Sequence, residues 1–270
     1  MKTLWPLAVI TFREGIRNRA LYGIAIFALL LLTANQIICA MIPRDVGKVA
    51  VDISLSTVSF CGLLTVFFVG INLLAKDFDR KTIYMVLSRP ISRGQYIWGK
   101  FFGMALLLLT TTGLLGVCAF ISVWLTKITY GAYFPRFSPT LFLLALVYIT
   151  LSLLLLTAVS FFFSSFTSTS FLALIMTVIC FLIGQVSGDV KELLEIKDKV
   201  GISVPPLVSK ITGFAYYVFP NFSLLDLKLA AAHGLMPSID AVFWSLLYGG
   251  GYTILVLTAA AVLFRRREFP

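Results

Sequence analysis

Apolar residues in this chain come in long runs that side chains of opposite character barely interrupt. Six such runs stand at about 21–42, 55–75, 99–123, 140–164, 169–187 and 241–264. Each approaches or exceeds the ~20 residues that a helix needs to cross a hydrocarbon layer of about 30 Å. Apart from Lys100 at the start of the third, none holds an Asp, Glu, Lys or Arg. A single central charge would oppose insertion by about 2.5–3.5 kcal/mol. The pattern therefore predicts an all-α integral membrane protein with six transmembrane helices, a spanning domain at 21–264.

Between and around the runs the pattern changes. Residues 1–20 can form an amphipathic interfacial helix: Leu4, Leu7, Ala8, Thr11, Phe12 and Ile16 make one stripe, with Arg13, Glu14, Arg17 and Asn18 opposite. The apolar run Leu4 to Phe12 is short, broken by Pro6 and followed by no small-residue cleavage site, which points away from a cleaved signal. Between the second and third runs, in the loop 76–98, Asp77 or Asp79 can cap a helix whose apolar ridge is Ile83, Tyr84 and Leu87. Pro90 stops that helix, and Ser92 can cap a second one running through Gly99 into the third span. A short amphipathic helix held between two spans either lies in the lipid head groups or fits a groove on a cytoplasmic partner; the groove is the leading reading, since a loop merely joining two spans could be far shorter.

The segment 188–240 is different again. Asp189 to Lys199 reads as an exposed charged helix, with Glu192, Glu195 and Lys199 spaced for ion pairing. Residues 203–225 are apolar enough to tempt a seventh crossing but contain Pro205, Pro206, Lys210 and Pro220. Short helices lying at the outer interface, or dipping into it, fit better, with Tyr216, Tyr217 and Phe219 at the boundary.

Charge fixes the expected orientation. The three basic segments are the N-terminal one (Lys2, Arg13, Arg17, Arg19), the loop (Lys76, Arg80, Lys81, Arg89, Arg93, Lys100) and the tail 265–270 with Arg265, Arg266 and Arg267. Their thirteen basic residues against four acids supply nine of the ten net positive charges. The positive-inside rule makes all three cytoplasmic, so both termini face the cytoplasm and the number of crossings is even. The basic balance thus records orientation in a cytoplasmic (inner) membrane and not affinity for nucleic acid. A chain 59% apolar and 13% charged, with a mean hydropathy of +0.98, also excludes a soluble enzyme, a disordered chain and a disulfide-stapled module.

Little catalytic chemistry is legible. An ion-driven pump needs ionisable groups within its spans, whereas these hold only Asn35, Gln36, Asn72, Gln185 and scattered Ser and Thr. An ion-coupled secondary transporter or channel is accordingly the alternative and not the leading reading. Gly94 to Phe101 nearly matches a phosphate-binding loop, but Phe101 stands where a hydroxyl must reach Mg²⁺, and bulky Tyr96, Ile97 and Trp98 fill the loop. Gly99 and Gly103 instead read as small residues at a helix contact. Cys39, Cys61, Cys118 and Cys180 lie in apolar runs without metal-ligand spacing, and His233 reads as a surface residue. No metal or cofactor is expected on this chain.

The loop itself resembles a known family. Asp77-Phe-Asp79-Arg80-Lys81-Thr82-Ile83-Tyr84-Met-Val-Leu87-Ser88-Arg89-Pro90-Ile-Ser92-Arg93, with Tyr96 and then Gly99-Lys100, resembles the coupling loop of ABC transporter permeases of the ABC type-2 class. Asp77 stands where many members carry Glu. Thr11 to Arg19, Phe219-Pro220-Asn221-Phe222 and the basic tail are similar to the branch associated with multicopper enzyme and nitrous oxide reductase maturation. The resemblance implies a permease subunit without nucleotide chemistry of its own, an exporter by expectation. It also implies a cytoplasmic ATPase subunit carrying ATP and Mg, and a second permease subunit, a homodimer by expectation. Asp77, Asp79, Arg80, Lys81, Thr82, Ile83, Tyr84, Leu87, Ser88, Arg89, Pro90 and Arg93 would couple to the ATPase. Leu4, Leu7, Phe12, Arg13, Ile16 and Arg17 would belong to the membrane-interface helix beside it.

Overall fold

The computed structural model describes residues 4–42, 45–71, 92–131, 134, 137–167, 169–200, 213, 216 and 218–266. All regular structure among them is helical: α1 (Leu4–Ile16), α2 (Arg19–Met41), α3 (Val46–Thr65), α4 (Arg93–Thr129), α5 (Pro139–Phe166), α6 (Ser170–Val200), α7 (Lys228–His233) and α8 (Ile239–Arg266). Six of these are long and apolar enough to span a membrane: α2, α3 with its π-helical extension to Gly70, α4, α5, the 170–188 part of α6, and α8.

Successive spans run in opposite directions, as their contacts show. Arg93, which opens α4, meets Arg265 at the close of α8, and α1 lies against the first turns of α4. At the other end, Gln36 near the close of α2 bonds Ser122 and Thr126 near the close of α4. The termini therefore share one end of the bundle, hereafter the termini end; the opposite one is the far end.

Local chemistry sets the boundaries. Asn18 caps α2, its side-chain oxygen accepting from the Ala20 N–H at 3.0 Å. Ser92 and Gln95 form a reciprocal capping box at the start of α4, as the sequence predicts for Ser92. Pro139 occupies the first turn of α5, where a missing N–H costs nothing.

α5 is the central helix, packed against α3, α4, α6 and α8. α2 and α6 are peripheral and turn apolar faces outward, with Tyr22, Ile26, Leu30 and Ile37 on one and Phe171, Ile179, Leu182 and Val186 on the other. Lipid gives helices little hydrophobic reason to associate, so small residues and hydrogen bonds decide the contacts. Gly62 admits Leu153, Gly116 admits Leu146 and Gly249 admits Leu151. Asn35 donates to the Ala50 carbonyl at 3.2 Å and to Ser54 at 3.0 Å, and Tyr148 joins Val242 and Ser245. Such interhelical bonds contribute about 0.6 kcal/mol each on average.

Three boundaries differ from expectation. The second span starts at Val46 and not near 55, and it carries Lys48 and Asp52. Its first turn tolerates charge because Asp45, at φ 58°, pairs with Lys48 at 2.9 Å, both well exposed at the far end. The third span continues to Thr129, where Lys127 rests its ammonium over the Trp124 and Phe137 rings at 5.1 and 5.4 Å. The charged segment after the fifth span is a continuation of α6 and not a separate helix. Gly184 and Gly188 do not break it; they form a small-residue face, one turn apart, on which the Pro220–Ser223 turn is seated.

That turn ties the far-end segment down. The Phe222 N–H donates to the Gly184 carbonyl at 3.0 Å, the Asn221 N–H donates to the Tyr248 hydroxyl at 2.8 Å, and Phe222 packs edge-on against Phe181. A 3-10 turn (Ser223–Leu225) and α7 follow, α7 lying on α3 and α5. Tyr216 lies under the Lys191 ammonium, 4.0 Å from its ring centre, while Tyr217 and residues 201–212 fall outside the described residues.

Candidate functional site

At the termini end the described basic residues Arg93 and Lys100 of α4 meet Arg265 of α8 and the N-terminal helix. Residues 72–91 lie outside the described residues, and with them Asp77, Asp79, Arg80, Lys81, Thr82, Ile83, Tyr84, Leu87, Ser88, Arg89 and Pro90. Described are the two helices that hold the loop and the elements packed on them. α3 approaches it through a π-helical turn, Val66–Gly70, in which the Ile71 N–H returns to the Val66 carbonyl. The widened turn brings Gly70 against the Met104 side chain of α4. At the loop's second end the Ser92–Gln95 capping box opens α4.

α4 carries two neighbours at this end. Gly99, Gly103 and Leu107 recur every fourth residue along it and face Leu7, Ala8, Thr11 and Gly15 of α1, spaced likewise. A Cβ built at Gly103 would stand 2.6 Å from the Ala8 carbonyl oxygen, so the backbones touch there. The Gly99-x-x-x-Gly103 pattern is thus a helix contact, and its partner is the N-terminal helix.

One ion pair crosses this seam. Lys100 is almost wholly enclosed, and its ammonium lies 3.9 Å from the Glu14 carboxylate, whose side chain is one-third exposed. The Tyr96 ring, 6.0 Å from the ammonium, stacks in turn on Phe264 of α8 at 5.8 Å. An enclosed ammonium is tolerated only with compensation nearby. Glu14 therefore belongs to the packed side of α1 and not to the solvated side expected for it.

The expected interface residues divide accordingly. Leu7 fills the space over Gly99, Leu4 and Phe12 are half-buried, and Arg13, Ile16 and Arg17 are exposed. Gly15 takes the buried position next to Ile16, because its lack of a side chain lets Leu107 approach. Arg93 donates from its guanidinium to the Arg265 carbonyl at 3.1 Å, where a cation complements the negative end of α8. The Arg265 guanidinium lies over Gly94. Sequence reasoning missed both the Glu14–Lys100 pair and the Arg93–Arg265 link. The available signal for the first was a lysine set inside an apolar run with a single acid in the basic N-terminal segment.

Mechanically, then, the loop's exit, α1 and the end of α8 are joined on one helix. Among the described residues no three His, Cys, Asp or Glu come together in a form that could hold a metal ion. His233 is exposed and returns its ring nitrogen to the Leu229 carbonyl, and the four cysteines form no disulfide.

A bundle of six membrane-spanning helices with both termini at one end defines a multi-pass membrane protein. The family model for the ABC-2 family transporter protein matches residues 5–269, and the chain belongs to that family. It is a transmembrane subunit of an ABC transporter. It is also similar to the "Probable ABC transporter permease protein NosY" of Pseudomonas aeruginosa, with 27% identity over 167 residues, 56% of this chain and 58% of that protein. The chain thus matches rather more than half the length of that curated relative.

Proposed function

We propose that this chain is the permease half of an ATP-driven exporter in the cytoplasmic membrane, working as a pair of permease subunits with two cytoplasmic ATPase subunits. ATP binding would close the ATPase dimer and displace the short helix expected between Asp77 and Leu87. That displacement reaches the spans through Ser92. The observation that carries the reading is the joining of α1, the start of α4 and the end of α8 at the loop, which makes one lever of the elements next to it. The charge pattern supports a cytoplasmic termini end, since the described basic residues of those segments, Arg13, Arg17, Arg93 and Arg265 among them, lie there. Family membership supports an ATPase partner, because this chain's own near match to a phosphate loop is buried helix: Tyr96, Ile97 and Gly99 are packed inside α4.

Capture tests this directly. Tagged full-length chain, extracted in mild detergent, is expected to retain an ABC ATPase subunit and a second copy of itself. Leu87→Asp should lose the ATPase and keep the second copy; retention of the ATPase by that variant would remove the loop from the docking role.

A further inference from the structure

A second feature lies toward the far end, away from the lever. Spans α3, α5 and α6 enclose a pocket of about 210 Å³ whose lid is the far-end segment. Its apolar lining comes from Leu63, Ile149, Leu153, Phe181, Phe222 and Leu225. Its polar lining is Ser59, Ser152, Gln185, Asp226 and Lys228. Ser59 and Ser152 each lie thirteen residues in from the far-end starts of their helices, Val46 and Pro139. Gln185 lies three residues before Gly188, the far-end close of the fifth span. At 1.5 Å per residue the polar wall runs from about 5 to about 20 Å below those helix ends, from the far-end boundary into the acyl chains.

Polar groups at that depth normally satisfy themselves. Thr57, Thr150 and Thr157, on the same helices, each donate to a carbonyl one turn back at 2.8 Å. Ser59, Ser152 and Gln185 make no hydrogen bond among the described residues, although all three are at least half withdrawn from the surface and line one space. These partly buried groups open onto the pocket and are available to a guest that supplies hydrogen-bonding partners. Asp226 and Lys228 meet at 3.1 Å and neutralise each other, so the pocket offers no spare charge, and an ionised guest would find little to offset its desolvation.

We infer that this pocket binds an uncharged, hydroxyl-rich head group of an amphipathic molecule, with the carboxamide of Gln185 and the hydroxyls of Ser59 and Ser152 as its hydrogen-bonding partners. The space is below the 300–1,000 Å³ of sites for drug-sized ligands, which suits a head group of glycerol or single-sugar size and leaves the apolar tail outside. Phe222, Leu225, Asp226 and Lys228 come from the segment clasped at Gly184 and Tyr248, so release of that clasp opens the lid. In naming the guest as cargo the inference rests on the permease reading; the binding itself does not.

The test uses full-length chain in phosphatidylcholine nanodiscs, its four native cysteines replaced by alanine and Ser152→Cys introduced. Labelling by N-ethylmaleimide is timed with 1-octanoylglycerol, octanoate or octane present. Octanoylglycerol should slow labelling about fivefold or more, octanoate and octane should not, and Leu143→Cys on the lipid-facing side of α5 should label at one rate throughout. Gln185→Leu added to Ser152→Cys should weaken the protection about tenfold, as loss of one buried hydrogen bond does. Ser59→Cys, on the opposite wall, repeats the measurement should Ser152→Cys fold poorly. Equal protection by octane or octanoate, or none by octanoylglycerol in either variant, overturns the inference. No nucleotide or ATPase enters the assay. Protection without ATPase capture upholds the site against the permease reading, and capture without protection does the reverse.

Discussion

The Glu14 carboxylate reaches across the seam between α1 and α4 to the Lys100 ammonium, 3.9 Å away, and the lysine side chain is 5% exposed. A cation so enclosed near the membrane boundary depends on its partners. Glu14→Gln is expected to cost about 1–2 kcal/mol, between the values typical of exposed and of buried pairs. Adding Lys100→Met should restore most of the loss, since the uncompensated charge goes with it. Thermal melting of the three variants in detergent checks this; equal loss in the single and double variants would mean that the pair is incidental.

Gly103 tests the same seam sterically. A side chain there meets the Ala8 backbone, which cannot turn aside as a flexible side chain could. Gly103→Leu should detach α1 and expose it to limited proteolysis. Gly113→Ala, about three turns further along α4 with nothing within 4 Å of the new Cβ, should leave α1 protected and gain up to about 1 kcal/mol of helix propensity.

At the far end, Tyr248→Phe removes the acceptor of the Asn221 N–H and leaves a buried donor unmatched. A loss of about 1–3 kcal/mol follows, confined to the lid. Hydrogen exchange should speed in residues 218–233 and stay unchanged in α4. Gly184→Val should do the same more severely, because its side chain would displace the Pro220 carbonyl and the Phe222 ring.

Orientation is open to direct labelling. Single cysteines replacing exposed Met236 at the far end and exposed Arg17 at the termini end should behave oppositely in intact cells. A membrane-impermeant maleimide should label the first and spare the second. The reverse pattern would invert the topology drawn from the basic segments.

The six spans were legible because long apolar runs have no other use at this length, and the Ser92 cap because its chemistry is local. Span ends were less so. Val46 to Ser54 reads as a loop by its Lys48 and Asp52, and only the Asn35 bonds to Ala50 and Ser54 show why it is helix. The Gly99–Gly103 contact was legible as a contact, but its partner required the fold, since nothing in α1 alone distinguishes a face turned to lipid from one turned to α4. Glu14 was misplaced for that reason: an amphipathic stripe fixes a rotation only to within a residue or so, and the lysine opposite decides it. The unpaired Ser59, Ser152 and Gln185 could not be grouped from the sequence, because three helices and a returning segment assemble their pocket.

The central claim is that motion enters through the loop before Ser92. ATP hydrolysis by the co-purified complex in proteoliposomes, compared for wild type, Tyr84→Asp and Leu87→Asp at equal chain insertion, tests it most directly. Wild type should stimulate its ATPase several-fold over the free subunit, and both variants should return hydrolysis to the free rate. Stimulation unchanged in both variants would contradict the account.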